Sequence, residues 1–238
     1  MFEQHSLNRT RGAADAAAFD AGLKRHMLSV YNYMASGVLL TGIVAMLVAS
    51  TPALYQPIFG TPLKWVVMLA PLAFVFLFSF RIEKMSASTA QTLFWVFSGL
   101  MGLSLASVFL VFTGASIAQT FFVTAIMFLS MSLYGYTTGR DLSKMGSFLI
   151  MGLIGVVLAS LANLFFQSGA LQLVVSIVGV IVFTGLTAWD TQNIKSQYAE
   201  HHGHETNSKL AVFGALSLYL NFVNLFQMLL TFIGQREE

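Results

Sequence analysis

MGSFLIMGLIGVVLASLANLFF, Met145–Phe166, runs for 22 residues without a charged side chain. At 1.5 Å per residue a helix of about 20 apolar residues crosses the roughly 30 Å hydrocarbon core of a bilayer. A transmembrane strand would instead be about ten residues long and alternate apolar with polar. This stretch does not alternate, so it reads as a membrane-spanning helix. Six further windows qualify on the same ground: Leu28–Ser50, Leu63–Phe80, Thr92–Phe112, Thr120–Thr138, Leu171–Trp189 and Leu210–Ile233. Pro52, Pro57 and Pro62 mark the first connection, and Gly114 and Gly169 mark two others, as helix-breaking residues do. The expected fold class is an all-α integral membrane protein of seven transmembrane helices. Residues 1–26 form an N-terminal arm and residues 27–238 the bundle.

Composition agrees. Charged residues make up 9% of the 238 and hydrophobic residues 56%, with a mean hydropathy of +0.75. A soluble domain carries about 25% charged residues, so most of this chain has lipid as its solvent. A net charge of +2 gives no reason to expect a nucleic-acid partner. The absence of cysteine excludes disulfides, thiolate metal sites and cysteine catalysis. No cleavable signal peptide is recognisable in the mixed polar, Ala-rich start.

Orientation follows from the basic residues. Arg9, Arg11, Lys24 and Arg25 precede the first span. Arg81 and Lys84, Arg140 and Lys144, and Lys195 and Lys209 fall in alternate loops. Only Lys64 and Arg236 fall on the opposite side, so ten of the twelve Lys and Arg share one face when the count is seven. The N-terminus is expected in the cytosol and the C-terminus outside. Before the first span, Phe19, Leu23, Met27 and Val30 recur at helical spacing. They suit a short interfacial helix, or a helix that simply extends the first span into water.

Small residues recur at spacings that allow close helix approach: Gly37 and Thr41; Ser98, Gly102 and Ala106; Gly152, Gly155, Ala159 and Asn163. These read as packing faces. Polar stripes are rarer in a span and call for inward placement. Thr184, Thr187, Asp190 and Asn193 follow at three-residue steps in the sixth span. Ser217, Asn221, Asn224 and Gln227 line the seventh, and Ser130, Tyr134, Thr137 and Asp141 the fourth. Three such stripes imply a hydrogen-bond network between helices or a hydrated path. Asp190 is the one ionisable group inside the membrane once span ends and loops are set aside, near the cytosolic end of its span. Arg81, ending the second span on the same face, is its natural cationic partner.

Enzyme signatures are missing: no phosphate-cradling Gly loop with Lys, no helical His pair bracketing Glu, no Ser–His–Asp set. A single intramembrane carboxylate does not supply the catalytic pair of an intramembrane protease. The chain is expected not to be an enzyme and to hold no cofactor. His201, His202, His204 and Glu205 have the look of a metal cluster but read better as a solvated loop.

Four stretches resemble the Bax inhibitor-1 family: Phe183–Ile194 (FTGLTAWDTQNI), Ala215–Phe226 (ALSLYLNFVNLF), Ser132–Ser143 (SLYGYTTGRDLS) and, in the manner of bacterial members, Lys24–Gly37 (KRHMLSVYNYMASG). The resemblance implies seven helices with the last surrounded by the other six, in a bacterial inner membrane. It implies a pH-sensitive calcium leak gated by two Asp residues that share a proton, with an Arg latched to the first. Asp190 matches the first Asp and Arg81 the Arg, while the second Asp position is Asn221. Two close carboxylates cannot both ionise, which is how such a pair senses pH. An Asp–Asn pair lacks that repulsion, so weaker or shifted pH gating is expected. Thr187, Asn193, Ser217 and Asn224 are the supporting polar residues. Calcium takes six to eight oxygens. Asp190 with amide and hydroxyl oxygens makes a weak metal site, suited to Ca²⁺ in passage rather than storage. Bacterial relatives resembling this chain also suggest a second function, a non-conducting modulator of a membrane-anchored AAA protease that uses the N-terminal arm as a handle.

Overall fold

The computed structural model describes residues 2–81 and 85–236, with side chains for 17–76 and 85–236. The described residues are helical apart from short connections. In chain order the helices are α1 (Phe2–Ser50), α2 (Pro52–Phe59), α3 (Leu63–Arg81), α4 (Ala87–Val111), α5 (Gly114–Thr137), α6 (Ser143–Phe166), α7 (Gly169–Gln197) and α8 (Gly203–Ile233), with a 3₁₀ turn at Glu200–His202. Among the described residues six helices are long and apolar enough to cross a membrane; α2 and α3 qualify only as a pair bent by 87°, which makes them a broken span or a re-entrant loop. The chain is therefore a multi-pass membrane protein.

Local chemistry explains the breaks. Pro52 starts α2 at the position where its missing N–H is not needed. The proline-rich connection between the first two spans is thus a short helix rather than an irregular loop. Ser86, Thr113 and Ser168 accept backbone N–H bonds as N-caps of α4, α5 and α7. Glu205 reaches back from the start of α8 to accept the Ala87 N–H at 2.6 Å, so this acid caps α4. Among the described residues no group of three His, Cys, Asp or Glu is placed to hold a metal.

α8 is the centre. Thirteen of its residues are buried, Tyr219, Leu218, Ala215 and Leu225 completely. It packs directly on α1, α4, α5 and α7, while α3 packs on α4 and α6 on α7. The last helix is central, as expected, but its immediate wall is four helices. α3 and α6 stand off across a cavity described below.

In lipid, helix association rests on close packing and hydrogen bonds rather than on expulsion of water. The α1–α4 seam shows how. A Cβ at Gly102 would lie 2.8 Å from the Thr41 carbonyl oxygen, and one at Gly37 would lie 2.6 Å from the Phe94 ring. Thr41 Oγ1 donates to the Ser98 carbonyl at 2.8 Å and sits 2.6 Å from the Tyr219 hydroxyl, tying α1, α4 and α8 at one point. The small-residue spacings in the first and third windows thus meet each other. α6 behaves differently: Gly152 approaches Val182, but a Cβ at Gly155 would meet nothing within 4 Å.

Nothing interrupts α1 at residue 26. Leu23, His26, Met27 and Val30 are buried, and the rings of Phe19 and His26 lie 5.5 and 5.4 Å from Tyr198 beyond the end of α7. This segment is neither a separate interfacial helix nor a bare extension into water. It is the first part of α1, seated on the α7–α8 connection. At the opposite face Thr113 N–H donates to the Gln235 carbonyl and Gln235 N–H to Ser116 Oγ, fixing the tail against the α4–α5 turn.

Candidate functional site

The site is built on the neighbouring helices α7 and α8. The apolar window of the sixth span ends at Trp189, yet α7 continues to Gln197. Asp190 therefore lies about 10 Å, two turns, inside the helix end rather than at it. Its side chain is buried. A carboxylate at that depth requires donors, and α8 supplies them. Asn221 Nδ2 donates to Asp190 Oδ2 at 2.6 Å, and Ser217 Oγ donates to the same oxygen at 3.2 Å. Ser217 and Asn221 stand one turn apart on α8, so both reach a single acceptor on α7. Asn221 is itself buried, 18 residues into a 31-residue helix and so near the middle of the membrane.

The other expected members are placed as follows. Thr187 is fully buried beside Asp190, but its hydroxyl donates to its own helix at the Phe183 carbonyl. Asn193 lines a groove with Arg140, Asp141 and Trp189. Asn224 Nδ2 donates to the Leu220 carbonyl, and its side chain lines the cavity between α8 and the outer helices. The side chain of Arg81 lies outside the described residues; its backbone ends α3.

That cavity holds about 490 Å³ and is bounded by α3, α4, α6, α7 and α8. Leu220, Asn224, Gln227 and Thr231 of α8 face it, as do Ser104 and Ser107 of α4. Ser217 continues the same α8 face by one turn toward the basic end of the bundle. Asn224 and Gln227 of the α8 stripe thus face the cavity, while Ser217 and Asn221 turn to the Asp190 carboxylate.

The third stripe faces the other way. Ser130, Tyr134 and Thr137 of α5 are exposed on the outside of the bundle. Ser130 and Thr137 donate to the Ile126 and Leu133 carbonyls of their own helix, so they need no inward partner. Asp141 lies beyond the end of α5, where the Ser143 hydroxyl and amide hold its carboxyl below the usual carboxylate range. The polar face that α5 turns inward is Thr120, Thr124 and Ser132. Ser132 makes a chain that sequence reasoning missed: Tyr31 Oη to Ser132 Oγ at 2.6 Å, and Ser132 Oγ to Thr191 Oγ1 at 3.0 Å. The available signal was Gly135, one turn along, where α5 comes so close to the Ala188 carbonyl of α7 that no side chain fits.

Residues 23–238 match the family described as "Inhibitor of apoptosis-promoting Bax1". The chain belongs to the Bax inhibitor-1 family. Curated relatives include an uncharacterised protein of Rickettsia prowazekii, RP147, 49% identical over 92% of this chain and 93% of its own length. The inner membrane protein YbhL of Escherichia coli K12 is 48% identical over 91% of this chain and 94% of its own. An uncharacterised membrane protein of Streptococcus pyogenes serotype M1 is 34% identical over 92% and 96%. In this Bax inhibitor-1 member the pair joining the sixth and seventh spans is a carboxylate and an amide.

Proposed function

We propose that this protein is a regulated cation leak, with Ca²⁺ as the fitting ion, in a bacterial inner membrane with the N-terminus in the cytosol. The supporting observation is the buried Asp190 carboxylate, held by Asn221 and Ser217 of α8, the helix whose Asn224 and Gln227 line the cavity. In this reading the cavity admits a hydrated ion from the side of the C-terminus. Asp190 closes its inner end, Arg81 latches the acid at the cytosolic face, and Asn221 tunes it. Two carboxylate oxygens and one hydroxyl are too few for a Ca²⁺ storage site, which suits passage. The relative YbhL, an inner membrane protein, supports the membrane assignment, and the clustering of ten basic residues on one face supports the orientation. The test is Ca²⁺ efflux from liposomes holding the purified chain, with Asp190→Ala and Arg81→Ala beside wild type. Flux unchanged in both variants removes the gate assignment.

A second reading, a non-conducting modulator of a membrane-anchored AAA protease, is favoured by the length of α1. Its 49 residues span about 74 Å as helix, more than twice the hydrocarbon core. Phe19, Leu23 and His26 belong to the bundle, so the handle narrows from the arm of residues 1–26 to the residues before Phe19. Their deletion is expected to abolish co-purification of the protease while leaving the bundle folded. Retained association sinks that reading.

A further inference from the structure

We propose that the groove between α1 and α5 is a binding site for one anionic phospholipid. α1 and α5 share no extended packing; they are joined across a recess of about 380 Å³ by the Tyr31–Ser132 hydrogen bond. Its walls are apolar and face the membrane: Leu28 is 52% exposed, and Leu129 and Leu133 are each 63% exposed. Tyr31 spends its hydroxyl on Ser132, which in turn contacts Thr191, so the floor offers a ring rather than a free polar group. A recess of this kind, open to the hydrocarbon, takes an acyl chain.

The rim selects the headgroup. Lys24 lines the groove two turns before Tyr31, about 10 Å along α1 toward the basic face. Lys195 arrives from α7. Its Nζ donates to the Tyr136 carbonyl at 2.8 Å and lies 4.9 Å from the centre of the Tyr136 ring, which forms part of the same groove. Neither ammonium makes an ion pair among the described residues. Among the described side chains of α1 the one acid is Asp20, one turn before Lys24, and with the two lysines it sums to +1. Apolar walls continuous with a basic rim at the interface fit a phosphate attached to acyl chains. A free phosphate would gain nothing from the walls.

One basic side chain near a bilayer surface gives about a five-fold preference for anionic over zwitterionic lipid. The test presents the full-length protein in detergent with equal amounts of phosphatidylglycerol and phosphatidylcholine of identical acyl chains, and bound lipids are counted by native mass spectrometry. Wild type is expected to retain about five-fold more phosphatidylglycerol. Lys24→Gln is expected to bring the ratio to about one while still binding lipid. Leu133→Trp, which fills the groove from an exposed position, is expected to lower retention of both lipids. Melting temperatures near wild type show that each variant is folded. Equal retention by wild type, or a preference that survives in both variants, overturns the proposal.

Discussion

Asn221→Asp replaces the donor at 2.6 Å from Asp190 Oδ2 by a second carboxylate. If both acids were charged, the repulsion across that distance would be about 6 kcal/mol at an effective dielectric constant of about 20. Holding an ordinary carboxyl protonated at pH 7 costs only about 4 kcal/mol. Protonation wins, so the variant pair keeps one shared proton near neutral pH and bridges α7 to α8 through an O–H···O⁻ bond. Raising the pH removes that proton and sets the repulsion between the two helices. Two measurements follow. Infrared difference spectra are expected to show a protonated-carboxyl stretch in Asn221→Asp that disappears as pH rises through about 7 to 9. Ca²⁺ flux in liposomes is expected to rise across the same window in the variant and to stay flatter in wild type. No titrating carboxyl in the variant would refute the geometric reasoning. A titrating carboxyl with flat flux would preserve the site and defeat the leak.

Gly135→Val is expected to force α5 from the Ala188 carbonyl and lower stability by about 1–3 kcal/mol, measured by unfolding in detergent; Gly155→Val, where an added Cβ meets nothing, serves as the near-silent control. Thr41→Val removes the partner of the Tyr219 hydroxyl, a side chain with no exposure, and is expected to destabilise by about 1–3 kcal/mol. Adding Tyr219→Phe should return part of that loss, and a purely additive double variant would contradict the coupling. Asp141 is held below the usual carboxylate range, so its contribution is present above its unfolded pKa of about 3.9 and is lost as pH falls through the lower folded value. The stabilities of wild type and Asp141→Asn are expected to run parallel from about pH 5 to pH 8 and to converge below about pH 4. A divergence near neutral pH would contradict this.

The spans were readable because apolar length is a direct consequence of bilayer thickness. The Gly37–Thr41 and Ser98–Gly102 spacings were readable because close approach leaves few residue choices. What hydropathy could not place was the end of α7. An apolar window stops at Asp190, whereas the helix stops only at Gln197, once the donors on α8 have been passed. The pair Asp190–Asn221 was legible because each is a polar residue with no partner on its own helix. The α5 stripe misled for the opposite reason: Ser130 and Thr137 satisfy themselves on backbone carbonyls, so polarity there carries no direction. The cavity was not legible, since it depends on where α3 and α6 stand off from α8.

The central position of α8 bears on how the protein is made. It is translated after the helices that surround it, yet it carries Asn221 and Ser217 for Asp190 and the Tyr219 hydroxyl for Thr41. The polar contacts of the core therefore cannot close until α8 has been made. A nascent chain stalled short of Ser217 carries a membrane-embedded aspartate with neither donor.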